Sequence, residues 1–314
     1  MPDSFPKTSW ALILGGSSGF GLASAAKLAA NGMNIIIFHR DRRGAMARIE
    51  ESFAALRNEG VEVLAFNADA LSPEIRNEKL DEIAVRLGDD RIHLVLHSIA
   101  FGNLKLSVAE KTADDSAISA LAERLGIERE KLQSAADELF SGGTDRLQLL
   151  ATPPKYSASL FLEEEDLART IHAMGTSLLG WVQAIHLRGL FAADARVLGL
   201  TSEGNTIAWK GYAAVAAAKV ALESVARSIA VEFAPYGIRC NVLQPGVTET
   251  PALRLIPGNA HLKAEARSKN PYGRLTVPED VANMVYLMAL PEAAWVNGAL
   301  IRVDGGEHIS GVRQ

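Results

Sequence analysis

The sequence predicts an α/β fold: a Rossmann-type, doubly wound parallel sheet with helices on both faces and a helical insertion after the fourth strand. Short apolar runs alternate with helical segments along the 314 residues, a pattern typical of a parallel sheet covered on both faces. A glycine-rich turn joins the first apolar run to the first helical segment. Ligands of such sheets bind at the carboxyl ends of the strands, so we expect the motifs that follow strands to form one site.

The predicted elements follow from composition and periodicity. The apolar runs predict strands at 10–14, 34–38, 61–66, 92–96, 195–200, 238–243 and 299–303. The intervening segments predict helices near 19–31, 44–58, 73–87, 165–191, 211–234 and 278–289. Because no linker-like break divides them, we expect one domain over residues 1–314 that carries a large insertion.

Composition restricts the class of protein. The chain is 48% hydrophobic and 22% charged, with a net charge of −5, as expected of a soluble globular protein. The single cysteine, Cys240, cannot form an intrachain disulfide, which fits a reducing compartment. The first ten residues lack the apolar core of a signal peptide, and no apolar run approaches the roughly 18 residues of a membrane span. We therefore expect a cytoplasmic location and no membrane partner.

The glycine-rich turn lies between the run at 10–14 and the helical segment that begins at Leu22. Gly15, Gly19 and Gly21 occupy this turn. Glycine permits a tight turn and lets a pyrophosphate approach the amides at a helix N-terminus. Close helix–strand packing alone would also explain the glycines. The strand–turn–helix context favours dinucleotide binding.

Tyr212 and Lys219 form the second candidate constellation. They lie seven positions apart in an alanine-rich segment. At about 100° per residue this separation is close to two full turns, which places both side chains on one helix face. A nearby cation would make the phenol easier to ionise, and such a group can exchange a proton with a substrate oxygen. A pair exposed on the surface is the alternative interpretation.

These motifs resemble the short-chain dehydrogenase/reductase family, and within it the divergent branch of the enoyl-acyl-carrier-protein reductases. The resemblance covers the chain outside roughly 103–162 and rests on Gly15–Gly21, His97–Phe101, Tyr212 with Lys219, Gln244–Thr250 and Val303–Gly306. Most of the family places the lysine four positions after the tyrosine, where this chain has Ala216. The seven-residue spacing and the His-Ser-Ile-Ala-Phe motif resemble the enoyl reductases.

The resemblance implies roles for individual residues. Tyr212 would give a proton or a hydrogen bond to the substrate carbonyl oxygen, and Lys219 would hold the nicotinamide ribose hydroxyls. Asp69 would meet the adenine, although it could simply cap a turn. Val247 and Thr250 would receive the carboxamide. The other implied cofactor-binding residues are Gly15, Ser17, Ser18, Gly19, Phe20, Gly21, Ala70, Ser98, Ile99, Ala100, Pro245 and Gly246.

Cofactor preference depends on the end of the second strand. A carboxylate there would bind the adenosine 2′-hydroxyl of NAD, whereas a cation would bind the 2′-phosphate of NADP. The sequence reads His39, Arg40, Asp41, and a guanidinium can offer parallel donors to a phosphate. We therefore expect NADPH to be preferred, with Arg40 at the phosphate. Asp41 remains an alternative acid for NADH if the strand ends one or two residues later.

Two features separate reduction of C=C from reduction of C=O. Enoyl reductases carry a second tyrosine ten positions before the catalytic one, but this chain has Ser202, which resembles the serine of carbonyl reducers. Met174–Ser177 occupies the region where carbonyl reducers carry an asparagine. We therefore expect an NADPH-dependent enoyl-thioester reductase with Tyr212, Lys219 and Ser202 as catalytic residues. Reduction of a β-ketoacyl thioester or another carbonyl is the alternative, and non-catalytic NADP binding is a third.

The insertion at about 103–162 has leucine, isoleucine and alanine at helical spacing, which predicts a helical hairpin. Residues 104–165 hold seven Lys/Arg and twelve Asp/Glu, a negative balance that argues against a nucleic-acid partner. We expect the insertion to roof the substrate site or to contact another subunit. In relatives, the region corresponding to about 251–272 closes over the cofactor and lines the acyl pocket.

The remaining expectations concern metals and partners. The seven histidines show no metal-ligand spacing, so we expect no metal site. The resemblance implies an acyl thioester substrate, carried by acyl carrier protein or coenzyme A, and a role in fatty acid biosynthesis. It also implies a homo-oligomer, a tetramer or a dimer, that pairs long helices, including the one that bears Tyr212.

Overall fold

The computed structural model describes residues 4–110, 116–157 and 160–311, which build one seven-stranded sheet. All neighbouring strands are parallel, and their order is β3-β2-β1-β4-β5-β6-β7. The strands are β1 Ser9–Leu14, β2 Asn34–His39, β3 Val63–Asn67, β4 Arg91–His97, β5 Phe191–Leu200, β6 Ile238–Pro245 and β7 Leu300–Val303. The predicted fold class is confirmed.

Helices cover both faces of the sheet. They are α1 Gly19–Ala29, α2 Met46–Arg57, α3 Pro73–Leu87, α4 Ser116–Leu125, α5 Arg129–Ser141, α6 Glu164–Ile171, α7 Ser177–Leu187, α8 Ala213–Glu232, α9 Pro251–Arg254, α10 Asn259–Lys269 and α11 Pro278–Ala289. A π-helical turn spans His172–Thr176, and a 3-10 turn spans Asp145–Leu147. No helix among the described residues is long and apolar enough to cross a membrane.

Two apolar cores lie on opposite faces of the sheet. Along β1, Leu12 and Leu14 face a core that contains Trp181 of α7, whereas Ile13 faces a core that contains Phe53 of α2. Successive side chains of a strand point to opposite faces. Because both faces of β1 are buried, its sequence is a continuous apolar run rather than an alternating one.

The helix predicted at 165–191 runs without a break from Glu164 to Leu187, but it contains a π-helical turn that the sequence did not predict and it ends before Phe191. The segment divides into α6, the π-helical turn and α7, and β5 already begins at Phe191. Gly175 in the π-helical turn lies so close to α8 that a Cβ would sit 2.7 Å from the carbonyl oxygen of Ala218. This contact between segments distant in sequence accompanies the irregular turn, and local composition does not reveal it.

The insertion has the helical content that the sequence predicts. Helices α4 and α5 pack on each other and are followed by the 3-10 turn at Asp145–Leu147. The base of the insertion is tied to the domain by an ion pair between Lys105 and Asp166 (2.5 Å) and by the amide of Asn103, which donates to Thr170 Oγ1 (3.1 Å). The insertion therefore leaves from and returns to the region beside α6.

Candidate active site

A cavity of about 570 Å³ lies at the carboxyl edge of the sheet, where the strand order reverses between β1 and β4. This is the place where open α/β sheets bind their ligands. Of the residues predicted for the site, the cavity is lined by Gly15, Ser17, Ser18, Gly19, Phe20, Arg40, Asp69, Ala70, Ser98, Ile99, Ala100, Ser202, Tyr212, Lys219, Pro245, Gly246, Val247 and Thr250. Gly21 is the one predicted residue that does not line it.

The glycine-rich turn is shaped by backbone contacts. Gly15 has φ +88°, and a Cβ there would lie 2.6 Å from the carbonyl oxygen of Ser98. A Cβ at Gly21 would lie 2.1 Å from the carbonyl oxygen of Gly15, so Gly21 serves helix–strand packing rather than cavity lining. Ser18, the N-cap of α1, makes no side-chain hydrogen bond to the first turn of the helix. The first-turn amides are therefore available to an anionic group.

At the end of β2 two opposite charges face the cavity. The Arg40 guanidinium is 52% exposed, lies 4.7 Å from the centre of the Phe101 ring and binds Asp69 (3.2 Å). Oδ2 of Asp41 lies 2.9 Å from Nδ1 of the buried His39 ring. Both charges thus have a partner within the protein, but the Arg40 side chain is 52% exposed and the Asp41 side chain only 26%. Both residues line the cavity.

Asp69 has two structural roles. Its Oδ1 accepts the amide of Leu71 (3.0 Å), the turn-capping role considered as an alternative, while its Oδ2 contacts Arg40. The carbonyl oxygen of Ala70 accepts Nε1 of Trp181 (2.9 Å). These bonds fix the loop after β3 at the wall of the cavity.

Tyr212 and Ser202 both line the cavity and lie beside each other. Tyr212 is the N-cap of α8, one residue before the helix begins. Both side chains pack on Gly204, where a Cβ would lie 2.6 Å from the Tyr212 ring and 3.4 Å from Ser202 Oγ. Ser202 Oγ is buried and makes no hydrogen bond of ordinary geometry among the described residues, although it lies close enough to the Tyr212 hydroxyl to lower the pKa of that phenol. A buried, unpaired hydroxyl needs explanation, and its position makes it available to a ligand oxygen.

Ionisation of the pair differs from the expectation. Burial raises the pKa of Tyr212; the polar Ser202 side chain acts in the opposite direction, and Glu203 adds to the rise. Lys219 is buried and donates to the carbonyl oxygen of Leu200 (2.8 Å). Burial lowers the pKa of Lys219 to about 8, and the negative charge of Glu223 partly opposes this shift by raising the pKa. The expected easier ionisation of the phenol is therefore wrong for this geometry, because desolvation dominates and the phenol keeps its proton.

The loop after β6 is fixed by a carboxylate from the chain's end. The amide of Val247 donates to Oε1 of Glu307 (3.1 Å), so this amide is already occupied. Burial raises the pKa of Glu307 to about 7. Thr250 is the N-cap of α9, and its hydroxyl oxygen accepts the amide of Leu253 (3.2 Å), which leaves the hydroxyl proton free to donate elsewhere.

The far end of the cavity is apolar. It is lined by Leu253, Ile256 and Leu262, from α9, the turn after it and α10. Trp209 also lines the cavity and packs edge-on against Tyr212, with ring centroids 5.3 Å apart. The cavity thus combines a polar glycine-rich end, a Tyr–Ser–Lys centre and an apolar end, an arrangement typical of a small-molecule site.

Several residues that line or support the cavity were not among the predicted site residues. Phe101, Met174, Glu203 and Trp209 line the cavity, and Glu307 supports its wall. Phe101 lies within the quoted His-Ser-Ile-Ala-Phe motif and Glu307 directly follows Val-Asp-Gly-Gly, so those motifs were the available signals. Met174 lies in the segment Met174–Ser177 discussed above, whereas no sequence motif includes Trp209. Among the residues that the structure describes, no group of three His, Cys, Asp or Glu side chains could hold a metal ion.

Two family models match the chain. The model described as "Enoyl-(Acyl carrier protein) reductase" matches residues 147–308, slightly more than half of the chain. The model described as "short chain dehydrogenase" matches residues 9–121. The first model contains the segment with Ser202, Tyr212 and Lys219, and the second contains the glycine-rich turn.

Relatives and solved structures agree with these matches. The "Short-chain reductase protein NovJ" of Streptomyces niveus is 25% identical over 304 residues, covering 94% of this chain and 92% of the relative. The 3-oxoacyl-acyl-carrier-protein reductase FabG of Vibrio cholerae is 29% identical over 179 residues, 57% of this chain and 71% of the relative. The enoyl-acyl-carrier-protein reductase (NADH) of Aquifex aeolicus VF5 has a TM-score of 0.69 at 19% identity, covering 97% of this chain and 98% of that one, and so shares the fold.

Proposed function

The chain belongs to the short-chain dehydrogenase/reductase family of NAD(P)-dependent oxidoreductases, and we propose that it reduces the C=C bond of an enoyl thioester with NADPH. The observation that carries this proposal is the centre of the cavity. There the protonated Tyr212 phenol and the unpaired Ser202 hydroxyl lie between an apolar pocket and a glycine-rich turn. A family-level likeness alone would not specify the substrate, so the proposal rests on this site.

The residues present fit a dinucleotide. The first turn of α1 would face the pyrophosphate, because its amides lack a side-chain cap. Arg40 would meet the adenosine 2′-phosphate, since its side chain is more exposed than that of Asp41. The pyrophosphate is common to NADH and NADPH, so only the Arg40 contact would favour NADPH. When bound, NADPH would supply a hydride to C3 of the enoyl thioester.

The chain's own residues would handle the charge and the proton. As C3 is reduced, an electron pair moves to the thioester oxygen, and Tyr212 and Ser202 would donate hydrogen bonds to it. The Tyr212 phenol carries the proton that neutralises this oxygen, and tautomerisation of the enol then places a proton on C2. Lys219, held beside Leu200, would orient the nicotinamide ribose hydroxyls. Removing a donor of this kind costs about 100–1,000-fold in rate.

The apolar end favours an acyl chain as the occupant. Leu253, Ile256 and Leu262 present hydrocarbon to the cavity, and each buried methylene of a substrate contributes about 0.8 kcal/mol. The acyl group would be carried by acyl carrier protein or coenzyme A. We further propose that the protein is a homo-oligomer.

Carbonyl reduction is the second candidate. The specific observation that favours it is Ser202, whose free hydroxyl can hydrogen-bond a ketone oxygen as well as an enolate. The printed name of FabG from Vibrio cholerae describes such a reductase. On this alternative Tyr212 would give its proton to the ketone oxygen while the hydride goes to the carbonyl carbon.

The test compares two thioesters of equal chain length. NADPH consumption is measured with crotonyl-CoA and acetoacetyl-CoA under the same conditions. We expect kcat/KM at least tenfold higher for crotonyl-CoA. Faster reduction of acetoacetyl-CoA would instead support the carbonyl reductase, and no turnover of either would contradict both.

A further inference from the structure

We propose that the insertion holds α10 against the apolar end of the cavity and thereby sets the acyl length that the enzyme accepts, with Asp145 and Arg267 as positioning residues. The inference rests on the proposed function for its substrate class. None of the described residues in 103–162 lines the cavity, so the described part of the insertion does not roof it directly. It lies behind the wall instead.

An ion pair joins the insertion to α10. Arg267 Nε donates to Asp145 Oδ2 (2.6 Å), and Nη2 donates to Oδ1 (2.5 Å). The two side chains are only 34% and 22% exposed. Bidentate guanidinium–carboxylate pairs combine energy with a fixed mutual geometry. The pair also lies 122 positions apart in sequence, so it constrains two segments that no local structure would hold together.

Two further contacts lie along the same helix. The Phe140 ring, at the end of α5, packs on His261 with centroids 4.8 Å apart. Gly258 precedes α10 with φ +75°, and a Cβ there would lie 2.4 Å from Cγ of Pro154. The insertion therefore contacts α10 near its beginning, through its first turns and near its end. A single contact would allow the helix to pivot, whereas three define its position.

The opposite side of α10 forms the substrate pocket. Leu262 lines the cavity, and Ala266 packs in a cluster with Val247 and Leu253, which line it too. Lys263 binds Glu249 (2.8 Å), which ties α10 to the loop after β6. A displacement of α10 would therefore move the apolar wall directly.

The insertion is also anchored beside the catalytic tyrosine. Lys210 binds Glu110 (2.6 Å), and the Tyr156 ring lies so near Gly211 that a Cβ there would be 3.3 Å away. Lys210 and Gly211 immediately precede Tyr212. The insertion thus spans from the start of α8 to α10, and it fixes the distance between the reacting centre and the far wall.

The test uses chain length as its readout. Asp145→Asn and Arg267→Gln are each compared with the parent on crotonyl-CoA and trans-2-decenoyl-CoA. We expect KM for the decenoyl substrate to rise about tenfold, with kcat within twofold and crotonyl KM nearly unchanged, since a short acyl group does not reach α10. The reversed pair, Asp145→Arg with Arg267→Asp, should recover at least half of the lost decenoyl preference.

The matched control is Glu165→Gln, which removes an exposed ion pair with Arg169 outside the α10 contact. It should leave both substrates unaffected. An equal loss on both substrates, or no loss on either, would overturn the inference.

A second measurement does not depend on turnover. Hydrogen exchange of residues 259–269 should accelerate in the single variants relative to 278–289 of α11, and the reversed pair should slow it again. If neither thioester is turned over, the proposed function fails, but this exchange still decides whether the insertion positions α10. Unchanged exchange in α10 would overturn that part.

Discussion

The half of the cavity that we propose binds the nucleotide (the nucleotide half) and the half that we propose binds the substrate (the substrate half) are built in different ways. The nucleotide half consists of short segments directly after β1, β2 and β4, and its shape is set by backbone contacts such as Gly15 against Ser98. The substrate half joins the loop at Ser202, the start of α8 and the region of α10, which side-chain contacts over long sequence distances hold in place. The first half is therefore specified by local sequence, and the second by tertiary packing.

The largest expected effect falls where the two halves meet. Tyr212→Phe removes the hydroxyl but keeps the ring against Trp209 and Gly204. We expect kcat to fall about 100–1,000-fold, because a hydrogen-bond donor to developing charge is lost. NADPH affinity, measured by fluorescence titration, should change less than threefold. A variant as active as the parent would show that the halves do not meet at this residue.

A smaller effect is expected on the difference in affinity between NADPH and NADH. Arg40→Gln removes the accessible guanidinium beside Asp69 while Asp41 stays bound to His39. We expect NADPH affinity to fall about tenfold, the size of one charge-assisted contact, with NADH affinity unchanged. Titration of both cofactors into the variant and the parent provides the measurement. An equal loss for NADH would mean that Arg40 supports the loop rather than the phosphate.

The nucleotide half was more predictable from the sequence than the substrate half. The sheet, the glycine-rich turn and the residues after β1, β2 and β4 were predictable because strand periodicity and motif context are local properties. The sequence did not reveal Trp209 or the π-helical turn at His172–Thr176, since these depend on packing against α8.

The ionisation of Tyr212 and Lys219 could not be predicted from the sequence either. Spacing placed Tyr212 and Lys219 on one face, but their ionisation follows from burial, which only the three-dimensional arrangement defines. For the insertion, too, only the local structure could be predicted from the sequence. Its helices were predictable from periodicity, whereas its contact with α10 through Asp145 and Arg267 required the structure.

The last expected effect is on stability rather than on turnover or cofactor affinity, and it concerns Glu307, which accepts the Val247 amide at the border of the halves. Burial raises the pKa of Glu307 from 4.5 to about 7. Between these pH values the folded protein retains a proton that the unfolded chain releases, so its stability declines as pH rises through this window. Glu307→Gln should reduce the decline in the free energy of unfolding between pH 5 and pH 8 by about 2–3 kcal/mol.

Urea unfolding at the two pH values provides that measurement, with Glu165→Gln as an exposed-carboxylate control. A decline identical to that of the parent would mean that Glu307 is ionised in the folded protein at low pH.

The most direct measurement is a crystal structure of the protein with NADP⁺ bound. The nicotinamide ring should lie between Tyr212 and Val247, with the ribose hydroxyls on Lys219 and the 2′-phosphate on Arg40. A dinucleotide bound in the reverse orientation, or outside this cavity, would contradict the account.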